Sequence, residues 1–109
     1  MELLDEYHAG VYLRAVLHRL HALGMHAFPL TYTVRLTYQW QQANPGRRDG
    51  LELAPLEAVS SMNRREATVA LVRVVRHLVL REVSLQVVLK GVRHIFEHIE
   101  QTKPNRSLN

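Results

Sequence analysis

His94-Ile95-Phe96-Glu97-His98 sets two imidazoles one helical turn apart with a glutamate between them, the H-x-x-E-H spacing that hydrolytic zinc sites use. Such a site needs a third ligand and a cleft. Only eleven residues follow His98, and Glu100 is the one acid among them. His18 and His21 on a first helix are the side chains that could complete a structural site in three dimensions. Read blandly, the same spacing describes solvated histidines beside Glu97. No metal is assigned on it, and His94 and His98 stand as the candidate ligands.

Other chemistry finds less support. The 109 residues contain no cysteine, so disulfide frameworks, thiolate nucleophiles, Cys-type zinc sites and iron–sulfur clusters are excluded. There is no G-x-S-x-G elbow, no phosphate-binding P-loop and no dinucleotide fingerprint. Ser60 and Ser61 read as helix caps rather than nucleophiles. Glu52 and Glu57 form a carboxylate pair with nothing to place a substrate between them. The chain reads as a non-enzyme with no catalytic residues and no cofactor.

The formal net charge is +4, and twelve of the fourteen basic residues are arginine. Arginine suits bidentate phosphate contacts and protein interfaces alike. Its acidic partners are spread through the chain, and no polybasic tail announces nucleic acid. Arg47 and Arg48 lie between two turn dipeptides, Pro45-Gly46 and Asp49-Gly50, where a basic ribbon tip could enter a groove.

These residues need elements to hold them. A length of 109 residues fits one domain. The first 24 residues predict a helix: Leu13, Val16, Leu17, Leu20 and Leu23 recur at spacings of three and four, and Gly24 stands at the capping position. From Leu30 the period changes. Leu30, Tyr32, Val34, Leu36, Tyr38 and Trp40 alternate with polar residues, which predicts a strand. Residues 43–50 predict a loop, and Leu51-Glu52-Leu53 a returning arm, giving a β-ribbon over about 30–54. Pro55 opens a short helix to about Val59, and Ser60, Ser61 or Asn63 caps the next.

From Arg64 to about Thr102 the positions Ala67, Leu71, Val74, Leu78, Arg81, Leu85, Val88, Val92, Ile95 and Ile99 follow a four-three repeat. This predicts one long helix or two, with any break at Glu82-Val83-Ser84. Residues 103–109 predict a polar tail. The expected fold is mainly α with minor β: an N-terminal helix, the ribbon and the long C-terminal helix or pair, assembled as a homodimer. Met1–Glu6 is too acidic for a secretory signal, and the apolar runs fall far short of the ~20 residues that span a bilayer. A soluble cytoplasmic protein is expected.

As a second face of the long helix, Val69, Val72, Val79, Val83 and Val87 lie within a sector of about 80°, away from the four-three stripe. Burying five valines is worth about 7–15 kcal/mol, comparable with the stability of a whole small domain. Something must cover them: helix 1 or the ribbon, which would make this a central helix, or a second protein chain. Arg73 and Arg76 border the sector as arginines border protein interfaces. The expected function is a small regulatory or adaptor protein that occupies another protein's surface, for example an antagonist covering a transcription regulator's interface. The alternative is a basic DNA- or RNA-binding regulator using Arg47 and Arg48.

Overall fold

A computed structural model describes residues 2–102, and all regular secondary structure among them is helical. The helices are α1 (Glu6–Ala22), α2 (Ala27–Ala43), α3 (Arg64–Leu80) and α4 (Leu85–Thr102), with a 3-10 turn over Leu56–Ser61. Helix α3 packs against both α1 and α2, and α4 also touches both. The predicted tail, 103–109, lies outside the described residues.

Local chemistry sets most helix ends. Asp5 caps α1, its carboxylate accepting from the His8 N–H at 2.8 Å. At the other end Gly24 takes φ +89°. Met25 N–H then bonds back to Leu20 and Gly24 N–H to His21, closing the six-to-one and five-to-two pair that satisfies the last carbonyls. Asn63 and Glu66 exchange bonds in a reciprocal capping box at the start of α3. Asn63 is thus the cap, not Ser60 or Ser61.

The strand and ribbon over 30–54 are corrected by the structure: Leu30–Gln41 lies within α2, and Leu51-Glu52-Leu53 is irregular. The alternation contains two series at spacing four. Leu30, Val34 and Tyr38 form one ridge, with Tyr32, Leu36 and Trp40 about 200° round the helix. The first ridge is buried and the second exposed. A lone ribbon would leave backbone groups without partners, whereas a helix satisfies them internally. Packing of Leu30 and Val34 into the core overrides the strand preference of Thr31, Thr33 and Thr37.

The C-terminal repeat divides in two, at the place predicted. Ala67, Leu71, Val74 and Leu78 from α3 and Val88, Val92, Ile95 and Ile99 from α4 are all buried. Between them Glu82 adopts φ 63°, and Val83 N–H returns to Leu78 O at 3.0 Å. This is the same helix-ending geometry as at Gly24, built with a residue that has a Cβ. Ser84 then caps α4 through the Val87 N–H at 3.2 Å. Arg81, the break in the stripe, donates to Leu3 O and Leu4 O. Replacing Glu82 by glycine relieves the left-handed backbone. Glu82→Gly is expected to stabilise the chain by about 1 kcal/mol, seen as a raised urea midpoint with unchanged slope.

Two adjacent polar residues of α3 lie inside. Arg76, 7% exposed, donates through Nε to Gln41 Oε1, through Nη1 to Gly50 O at 3.2 Å and through Nη2 to Arg47 O at 3.1 Å. Its guanidinium also lies 5.2 Å from the Trp40 ring centroid. Gln41 turns its amide to Asn44 O and Arg47 O, so one network fastens the 44–50 loop to α2 and α3. His77 bridges Leu51 O (Nε2, 2.8 Å) and the Leu4 N–H (Nδ1, 3.1 Å). Arg76→Ala removes the donors from this network and leaves Gln41 Oε1 buried without one. The expected cost is about 2–4 kcal/mol in urea unfolding, with faster tryptic cleavage after Arg47 and Arg48 than in the parent chain.

Candidate functional site

The five valines do not form one face. Val69, 41% exposed, lines a recess with Leu53, Arg65 and Arg73. Val72 sits against Leu36 and Trp40 of α2. Val79 packs against the core, and Val83 is buried at the α3–α4 turn. Val87, 57% exposed, belongs to a groove between α1 and α4. Val69, Val72 and Val79 keep a common sector on α3, but the turn at Arg81–Ser84 resets the helical phase and so separates Val83 and Val87 from them. The two arginines are not a free rim either. Arg76 is buried in the loop network, and Arg73 donates to Glu52 O at 2.8 Å. Within the proposed nucleic-acid tip, Arg47 pairs with Asp49 at 3.1 Å while Arg48 is exposed.

One apolar surface was not anticipated. Phe28, Tyr32, Leu36 and Trp40 follow one another at spacing four along the outer side of α2 and are 80%, 57%, 47% and 43% exposed. They make a ridge about 18 Å long. Val72 of α3 extends it sideways through its recess with Leu36 and Trp40. The signal was present in the sequence as the i, i+4 spacing. Period-two alternation hides it, because on a strand Tyr32, Leu36 and Trp40 share one face with Leu30, Val34 and Tyr38.

The second feature is the groove between α1 and α4, with a volume of about 420 Å³. Leu13, Val83, Val88 and Ile95 line its interior, and Tyr7 and Val87 stand beside them. Gly10 of α1 and Gly91 of α4 line it as well, and a Cβ built on either would meet nothing within 4 Å. Each glycine weakens its helix by about 1 kcal/mol relative to alanine, and neither is demanded by close packing or a left-handed φ.

Arg14 and His94 line this groove and also a smaller adjoining cleft of about 130 Å³, which adds His18 and His98. The sequence candidates His94 and His98 are thus brought together with His18 and an arginine. His21 instead meets the edge of the Phe96 ring, with centroids 5.9 Å apart. Among the described residues no group of three His, Asp or Glu side chains is arranged to hold a metal ion. The cleft has a different character. Partial burial, and then the charges of Arg14, His98 and His21, hold the His18 imidazole below its usual range. Among the described residues no carboxylate lines this cleft, and Glu6 lines the groove that adjoins it.

Comparison with protein-family models, curated proteins and solved structures finds no match to this chain. No helix among the described residues is long and apolar enough to cross a membrane.

The depressed His18 has a stability consequence. In the unfolded chain the imidazole recovers its ordinary value of 6.5, so the unfolded state binds more protons as pH falls. Stability contributed by neutral His18 is therefore present above pH 6.5 and is lost as pH drops through the lower folded value. His18→Gln is expected to reduce the loss of urea midpoint between pH 7.5 and 5.5. An identical loss in parent and variant would show that His18 contributes nothing to it.

Proposed function

We propose that the chain is a small non-catalytic regulatory or adaptor protein that works by protein–protein interaction, and that the outer ridge of α2 is its contact surface. The observation that carries this reading is the unbroken series Phe28, Tyr32, Leu36 and Trp40, each 43% exposed or more. Scattered apolar residues on a surface are ordinary, but a contiguous aromatic ridge is not. Aromatic side chains dominate interface energetics because they bury large areas at little entropic cost. A spacing of four presents them as one edge to a complementary groove, the helix-in-groove mode of recognition.

The partner is another protein. A transcription regulator whose own helix-packing face becomes covered is one form, which would make this chain an antagonist in the cytoplasm. Without such a partner, two copies can pair through the same ridge. An antiparallel α2–α2 contact is self-complementary, setting Phe28 against the partner's Trp40 and Tyr32 against the partner's Leu36, as a two-fold interface requires. This places the expected contact on α2 and not on the valine set read from the sequence.

Tyr32→Ser combined with Leu36→Asp alters exposed positions outside the Arg76 network and is expected to preserve helical content. In sedimentation velocity the parent chain should dimerise with little dependence on salt, and the double variant should sediment as a monomer. A monomeric parent, or a dimer indifferent to both changes, would remove α2 as the self-contact. The alternative, a DNA- or RNA-binding regulator using Arg47 and Arg48, predicts nucleic-acid affinity falling by about 0.9 log units per phosphate contact for each tenfold rise in salt. The Arg47–Asp49 pair weighs against it.

A further inference from the structure

We infer that the groove between α1 and α4 binds a small amphipathic anion, an apolar body of about eight carbons carrying one carboxylate, with the carboxylate at the Arg14, His18, His94 and His98 end. This site is separate from the α2 ridge and does not depend on its role.

Shape is the first argument. The groove's volume of about 420 Å³ lies within the ~300–1,000 Å³ range of small-molecule sites, and its walls are mostly aliphatic. Tyr7 and Arg14 lie seven residues apart on α1, about 10 Å along the axis, which an eight-carbon chain spans when extended. The second argument is charge. At one end Arg14 of α1 supplies the positive charge opposite His94 of α4, with the His18 and His98 imidazoles beside them, and among the described residues no acidic side chain lines their cleft. Glu6 lines the groove nearer the start of α1, so the polarity of the site orients an anionic headgroup toward Arg14. A guanidinium provides the bidentate, charge-assisted contact that carboxylates favour.

The third argument is the space itself. Gly10 and Gly91 leave room that no side chain among the described residues uses, although alanine at either position would fit without a clash. Two facing helices thus carry their weakest helix-forming residue at the same opening. A bound aliphatic chain would occupy that opening.

Titration of the full-length, isotope-labelled protein with octanoate, followed by amide chemical shifts, tests the assignment. Octanoate should give saturable shifts along the facing sides of α1 and α4. Acetate, which has the charge alone, and 1-octanol, which has the tail alone, should each bind about tenfold more weakly or worse. Arg14→Gln with His94→Gln, both exposed positions, should weaken octanoate about tenfold and leave 1-octanol unchanged. Gly91→Leu should abolish binding of both tails while the spectrum elsewhere stays that of the folded chain. Equal affinity for octanoate and 1-octanol, or undiminished octanoate binding in the Arg14/His94 variant, would overturn the anionic subsite. Unsaturable shifts, or shifts centred on α2, would overturn the groove as the site.

Discussion

Arg76 and His77 are consecutive in α3, and through them three otherwise separate segments are held in place. Arg76 fastens the 44–50 loop and the end of α2, while His77 ties Leu4 to Leu51. A buried guanidinium costs several kcal/mol unless its donors are matched. Here they are matched by an amide oxygen and backbone carbonyls rather than by a bonded carboxylate, with the Trp40 ring alongside. The arrangement tolerates little slack, because a loop displaced by an ångström would strand a buried charge. Among the described residues no buried side-chain nitrogen or oxygen lacks a hydrogen-bond partner. The irregular stretch before the 3-10 turn is thereby tied to α2 and α3 by side-chain hydrogen bonds.

That constraint bears on the α2 ridge. Trp40 contacts both Arg47 and Arg76 as a cation–ring partner, so its indole is anchored although 43% of its surface is exposed. Trp40 is therefore pre-ordered, and an ordered side chain loses less entropy when a partner covers it. Phe28, at the opposite end and 80% exposed, has no such support. The ridge thus runs from an anchored aromatic to a loose one.

The turn at Arg81–Ser84 has a similar double effect. It lets α4 fold back against α1 and α2 as well as α3. By changing the direction of the chain it also carries Val83 and Val87 away from Val69 and Val72. Tyr38 of α2 reaches this turn, its hydroxyl donating to Val83 O at 2.9 Å, so the turn is held from a second helix. The α1–α4 groove exists because the turn presents α4 to α1 at a spacing that Gly10 and Gly91 do not fill.

What could be read from residue order alone was governed by local chemistry. Apolar spacing marked α1 and the two halves of the C-terminal repeat. Gly24 and Glu82-Val83-Ser84 marked an end and the break, and Ser60, Ser61 and Asn63 narrowed the start of α3 to a few positions, because caps and turns form among residues close in sequence. Tertiary structure decided the remainder. Whether Leu30–Trp40 becomes a strand or a helix turns on what its alternating residues meet, and α3 and α4 supply a surface that fits one ridge of four-spaced side chains. The pairing of Arg14 and His18 with His94 and His98 joins positions about eighty residues apart, and no spacing rule reaches that far. Arg73 and Arg76 read as the border of an interface from the sequence, and their carbonyl partners, distant in sequence, show them bonded within the fold.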